Sequence, residues 1–190
     1  MNPRMMRLTA DYERIRDEFI GHPYVTVEPA SRQVPPERYV VTYRVPGLRW
    51  DSHEERPIRA DLHTAEIYLH AEYPREKPKC VLKTPIWHPN FGNYICIGDH
   101  WAAGESLVDV IVQIGDMIQY RVYNPQSALN LAAGRWATEH RHLFPIGNLN
   151  VLQAEPDISF DATARRQKAT DLDIFLGLTI RQDDLDITIR

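Results

Sequence analysis

Apolar residues recur every three or four positions near the start of the chain. Leu8, Tyr12, Ile15 and Phe19 form one stripe, which predicts a helix over residues 3–20. Gly21 and Pro23 should end it, because glycine frees the backbone and proline cannot continue the hydrogen-bond ladder. The period then drops to two. Residues 24–28, 39–45, 61–71 and 80–84 alternate or run β-branched, with Gly or Pro between most of them. Four consecutive short strands predict an antiparallel meander. Residues 85–104 hold Pro, Gly, Asn, His and Trp without a sustained period, and a loop this long inside a domain is usually functional. Helical spacing returns at Leu107, Val110, Ile111, Ile114 and Ile118. Their β-branched content lowers helix propensity, so this helix must lean on burial. After Tyr123-Asn124-Pro125 the pattern predicts a further helix, capped by Ser127 and carrying Leu129, Ala132, Ala133, Trp136 and Leu143.

The end of the chain differs. Leu172, Ile174, Leu176, Leu178 and Ile180 alternate, and so do Leu185, Ile187 and Ile189, with a polar break at 181–184. That pattern predicts a β-hairpin. The expected architecture is therefore an α+β domain over residues 1–148, followed by an extension over 149–190. Eight of the 26 acidic residues but only five of the 22 basic ones lie in 150–190, so the extension carries most of the net charge of −4 and the body is near neutral.

A hydrophobic fraction of 43% excludes disorder as the main state. No run approaches the ~18 apolar residues of a membrane span. The first residues lack the apolar stretch of a secretory signal. The acidic balance argues against a dedicated nucleic-acid binder. Two cysteines, Cys80 and Cys96, make neither a disulfide framework nor a multi-cysteine zinc site, and they fit a reducing cytoplasm. His88, Cys96 and His100 lack a clear fourth metal ligand. No metal or cofactor is expected.

The long loop concentrates the chemistry. It reads Trp87-His88-Pro89-Asn90, then Ile95-Cys96, then Asp99 and Trp101. A thiolate is a strong nucleophile. An asparagine amide offers two N–H donors from a neutral side chain, which suits a developing oxyanion. Together they suggest acyl transfer through a thioester. Taken singly, a cysteine beside Ile95 and Ile97 is more often a small buried hydrophobe, and Asn90 after Pro89 a turn residue.

The order of the neighbours changes that balance. Tyr73-Pro74, Pro78-Lys79, Thr84, Ile86 to Asn90, Ile95-Cys96, Asp99, Trp101, Asn124-Pro125, Leu129-Asn130 and Ala132-Ala133 resemble ubiquitin-conjugating enzymes, and the likeness extends over roughly residues 4–145. The resemblance implies that Cys96 takes the C-terminal acyl group of a ubiquitin-like modifier from an activating enzyme. The acyl group then passes to an amine acceptor, usually lysine on a protein, with a ligase as a further partner. It implies that Asn90 stabilises the oxyanion or holds the loop, and that His88 supports the loop structurally. Asp99 could orient the incoming amine, and Ser127 falls at the gate of the site. Arg4, Arg7 and Arg14 fall near one side of the first helix, where family members meet the activating enzyme.

Several positions depart from the common family pattern. Asn90 and Cys96 are only six residues apart, and Gly98 stands between Ile97 and Asp99. The segment between Ile114 and Asn124 is about two residues longer than usual. Arg75 and Ala102-Ala103 replace the usual ligase-docking residues, which argues against a conventional RING contact. With the extension, these features resemble prokaryotic relatives, some of which serve in antiphage defence. Two rival readings stay open. One is a non-catalytic binding module of the same fold. The other is a cysteine hydrolase, which would need a base such as His88 or His100 beside Cys96.

Overall fold

The structure is a computed structural model that describes residues 2–98, 101–147, 149 and 151. Helix α1, Pro3–Phe19, starts where the sequence predicts. Asn2 caps it by accepting the Arg4 N–H at 2.9 Å, and Pro3 occupies the first turn, where no N–H is needed. The apolar stripe of α1 buries Leu8, Ile15 and Phe19. Burying each such side chain contributes about 1.5–3 kcal/mol.

Four strands form the main sheet: β1 Val25–Pro29, β2 Arg38–Tyr43, β5 His63–Tyr68 and β6 Lys79–Leu82. Their order is β1-β2-β5-β6, antiparallel throughout. Register follows the alternation. Val27 faces Val41, Val41 faces Ala65, and Ile67 faces Cys80. A slip of one residue would turn this buried row to the other face. Helix α2, Leu107–Ile118, closes the core with Leu107, Val110, Ile111, Ile114 and Ile118. Tyr43 reaches it, donating its hydroxyl to the Ile111 carbonyl at 3.0 Å. A capping box of Ser106 and Asp109 starts α2 and offsets its poor propensity. Together α1, the four-stranded antiparallel sheet and α2 make an α+β fold.

The sequence reading misses one element. Residues 46–60 form a separate hairpin of β3, Gly47–Asp51, and β4, Arg56–Ala60, inserted between β2 and β5. Its strands carry Arg49, Arg56, Pro57 and Arg59, and of their side chains only Leu48 is deeply buried, so no apolar alternation announces them. Its turn is built by Asp51, whose Oδ1 accepts the N–H groups of His53 and Glu54, and by Glu55 in the left-handed region at φ 50°. Gly47 is needed at the entry, since a Cβ there would lie 2.6 Å from His63 Nε2. The predicted strand at 61–71 shortens to β5 accordingly.

Helix α3 is Leu131–Glu139, and it is capped by Asn130 rather than Ser127. Asn130 Oδ1 accepts the Ala133 N–H at 3.1 Å. Ser127 instead closes a 3₁₀ turn, Pro125–Ser127, which follows directly from Pro125 in its first position. Leu129 precedes α3 and Leu143 ends a second 3₁₀ turn, Arg141–Leu143, so neither belongs to the helix. The predicted terminal hairpin lies outside the described residues.

Candidate active site

The described residues of the long loop between β6 and α2 form no regular element, in agreement with its lack of period. It is nevertheless held closely. Ile95 donates its N–H to the Cys80 carbonyl at 2.8 Å, and Phe91 and Ile95 form an isolated antiparallel bridge. This bridge sets the local alternation of side chains. Ile95 and Ile97 are 3% and 7% exposed, and Cys96 between them is half-buried, not part of the core. The two isoleucines therefore anchor the cysteine with its thiol side partly open.

Backbone groups around Cys96 are each taken by a different part of the fold. The Cys96 N–H donates to the Asn90 carbonyl at 2.9 Å. Gln113 of α2 donates to the Ile97 carbonyl at 2.7 Å. Lys77 donates to the carbonyl of Gly98, whose φ of +106° requires glycine.

Asn90 is buried, and its side chain is fully engaged. Its Nδ2 donates to the carbonyls of Asn124 and Ser127 at 2.9 and 3.1 Å. Its Oδ1 accepts the Asn124 N–H at 2.7 Å. Both amide hydrogens thus tie the cysteine loop to the segment before α3. Pro89 adds a further tie, its carbonyl accepting the Asn130 N–H.

His88 has no exposed surface. Its Nδ1 accepts the Asn90 N–H at 3.1 Å, and its ring meets Phe91 and Tyr120 edge-on at 4.8 and 4.6 Å. Burial pulls its pKa down to about 3, against a smaller opposing effect of the Val122 carbonyl. The ring is therefore neutral at physiological pH. Tyr120 donates its hydroxyl to the Trp87 carbonyl and completes this packed support. The second cysteine, Cys80, is 2% exposed, and burial pushes its thiol up to about 12.

Other sequence-predicted residues fall elsewhere. Ser127 is exposed and contributes its carbonyl to Asn90. Asp99 and His100 lie outside the described residues. Arg4 binds Glu37 at 2.8 Å and the carbonyls of Leu69 and His70. Arg7 binds the buried carboxylate of Asp11 at 2.8 Å, the Tyr73 hydroxyl, and the carbonyls of Ala103 and Glu105. Arg14 is exposed. Sequence reasoning passed over Asn124, Gln113 and Lys77 as site residues. Asn124-Pro125 was a visible signal, since a residue before proline is held extended, but its partner lies 34 positions away. Among the described residues, no group of three His, Cys, Asp or Glu side chains is placed to hold a metal ion.

Residues 52–145 match the family model for ubiquitin-conjugating enzyme. That segment belongs to the ubiquitin-conjugating enzyme family. It begins in the turn between β3 and β4 and ends after α3, so it takes in Asn90 and Cys96. Ubiquitin-conjugating enzymes generally work with ubiquitin-like modifiers, activating enzymes and ligases. The observed helix and four-stranded antiparallel sheet fit the α+β fold of such an enzyme. No curated protein matches the chain. No described helix is long and apolar enough to cross a membrane.

Proposed function

We propose that the protein carries a ubiquitin-like modifier as a thioester on Cys96 and passes it to an amine. In the first step the Cys96 thiolate attacks the thioester carbonyl presented by an activating enzyme. The C–S bond to that enzyme breaks, and its cysteine leaves as a thiolate. In the second step an acceptor amine, most simply a lysine, attacks the new thioester and loses a proton, and Cys96 leaves. The first step exchanges one thioester for another, with a thiolate attacking and a thiolate leaving, and in the second the amine's proton passes to the departing sulfur or to water.

The observation that carries this reading is the half-buried Cys96 held between two buried isoleucines inside the family-matched segment. Asn90 is assigned a positioning role, because both its amide hydrogens are already engaged. Donation to an oxyanion would require one of those bonds to open. His88 is assigned structural support. A hydrolase would need a base at the thiol, and His88 instead uses its Nδ1 to accept from Asn90. Of Arg4, Arg7 and Arg14, only Arg14 is exposed, and it is the one of the three available to an activating enzyme.

The test uses the native host, so the modifier need not be guessed. Tagged wild type and Cys96→Ala are purified without reductant, and intact masses are recorded before and after thiol treatment. A thiol-labile adduct on wild type alone is expected, and its mass identifies the modifier. No adduct, where the cognate activating enzyme is expressed and charged, would overturn the reading in favour of a binding module.

A further inference from the structure

We propose that the free edge of β1 docks an extended peptide of a partner protein, one that brings an apolar side chain to the cavity beside α1 and a carboxylate to Arg16. The inference does not depend on the thioester reading. Among the described strands, β1 is outermost on one side of the sheet. On the other side lies β6, whose Cys80 carbonyl holds the cysteine loop. Three strand spacings of about 4.8 Å separate the two, so a peptide on β1 leaves Cys96 uncovered.

The pairing of β1 with β2 decides which backbone groups are free. Arg44 donates its N–H to the Tyr24 carbonyl, and Ala30 donates to the Arg38 carbonyl. In this register the even-numbered residues from 24 to 30 turn their peptide groups toward β2. Val25, Val27 and Pro29 therefore turn theirs away from it. The Val25 N–H is already taken, since it donates to His22 Nδ1 at 3.0 Å. Pro29 has no N–H. The edge is left with the Val27 N–H and the carbonyls of Val25, Val27 and Pro29. An antiparallel peptide centred on Val27 satisfies all four, accepting one hydrogen bond and donating three. A second copy of β1 does not. It would exchange two bonds at Val27, but Val25 would then face Pro29, and neither has an N–H to give. This acceptor-rich edge fits a foreign strand and not its own copy.

Side chains directly opposite in an antiparallel pair share a face. The peptide residue opposite Val27 therefore points where Val27 points, onto the core side of the sheet. A cavity of about 270 Å³ lies there, lined by Ile15, Phe19, Ile20 and Val27. Ile20 is 79% exposed, and an apolar side chain in the cavity covers it. The same cavity is lined by Pro29, its cross-strand partner Tyr39, and Arg16. The Arg16 guanidinium lies over the Tyr12 ring, 5.9 Å from its centroid. The buried Tyr39 hydroxyl has no hydrogen-bond partner among the described residues. A cation and an unpaired donor together favour a carboxylate opposite Pro29, two residues before the apolar one. Glu28 is exposed and alternates to the outer face, which favours a lysine between them.

The probe is acetyl-Glu-Lys-Leu-Thr-Val-amide, titrated at millimolar concentration into the isotope-labelled full-length protein and followed by amide NMR. Shifts centred on Val27, Ile15 and Phe19 are expected, with slower hydrogen exchange of the Val27 N–H. Methylating the leucine nitrogen removes the donor to the Val27 carbonyl and should weaken binding about tenfold. Methylating the lysine or threonine nitrogen, which points away from β1, should change it by no more than about twofold. Arg16→Glu should weaken binding, and a peptide with lysine in place of its glutamate should restore it. The proposal is overturned if the peptide does not bind, if all the methylated peptides bind alike, or if the shifts fall away from β1 and α1. It is also overturned if Arg16→Glu binds the probe as tightly as wild type. Sedimentation that shows a dimer, with the Val27 N–H already protected, would place a second copy on the edge and overturn it too.

Discussion

Asn90 and Asn124 are locked to each other, the side chain of the first holding both backbone polar groups of the second. The Asn90 carboxamide accepts the Asn124 N–H at 2.7 Å and donates to the Asn124 carbonyl at 2.9 Å. A third bond, to the Ser127 carbonyl, extends the clasp across the 3₁₀ turn before α3. Asn124 in turn caps that turn with its own Oδ1, which accepts from Gln126 and Ser127. The cysteine loop and the segment entering α3 thus share one buried amide.

Removal of that amide should be felt as instability before it is felt as lost chemistry. Asn90→Ala leaves an N–H and two carbonyls short of their partner, and a cost of about 2–3 kcal/mol is expected. Asn90→Asp keeps the acceptor for Asn124 but sets a carboxylate against two carbonyl oxygens. It should cost at least as much at neutral pH. Urea unfolding followed by tryptophan fluorescence measures both. If Asn90→Ala unfolds at the wild-type urea concentration yet cannot discharge Cys96, the amide acts on the oxyanion and not on the loop.

The α1 arginines should divide into two kinds. Arg7 neutralises Asp11, which is 4% exposed and also accepts the Tyr73 hydroxyl at 2.6 Å. Arg7→Ala strands that carboxylate, and a loss of about 3 kcal/mol is expected. Arg14 is exposed, so Arg14→Ala should stay within about 0.5 kcal/mol of wild type. Paired urea titrations test this contrast. Any effect of Arg14→Ala on loading by an activating enzyme would then report contact rather than folding.

These contrasts show where the sequence was legible. The stripe of α1 and the alternation of β1, β2, β5 and β6 were readable because each buries one face, and burial writes a period into the chain. The cysteine loop was legible through the order of its residues, although only the fold shows that Ile95 and Ile97 point inward while Cys96 does not. The β3–β4 hairpin was not readable, since little of it is buried and its turn rests on Asp51 and Glu55. Ser127 was a reasonable cap by residue type, but Pro125 starts a short turn that ends there and leaves Asn130 to cap α3. The Asn90–Asn124 pair was hidden for another reason. A contact between residues 34 positions apart leaves no periodic trace.

Acid should weaken the fold through its buried imidazoles. Burial lowers the pKa of His88 to about 3, and burial lowers that of His63 as well. The unfolded chain binds a proton at each site near the ordinary value of about 6.5, whereas folded His88 stays neutral down to about 3. The unfolded state therefore holds more protons in that window, and stability falls as pH drops from about 6.5 toward 3. For His88 alone the slope approaches about 1.4 kcal/mol per pH unit. Unfolding midpoints measured from pH 7.5 to 4.5 should fall steadily below pH 6. A folded-state NMR titration that places His88 near 6.5 would contradict the buried, neutral ring.

The two cysteines should separate cleanly by reactivity. Cys80 sits on the inner face of β6, 2% exposed, and its thiol is pushed up to about 12 by burial. Cys96 is half-buried on the loop. The thiolate is the reacting form, so both access and ionisation disfavour Cys80. Iodoacetamide at pH 8 should label Cys96 in the folded protein and leave Cys80 untouched, as peptide mapping will show. Unfolding in guanidinium should make the two label at similar rates. Cys96→Ala should then leave the folded protein with no label in the time that wild type takes one. Equal labelling of both cysteines without denaturant would mean that β6 opens readily, and that the strand supporting the cysteine loop is not the fixed base on which the site depends.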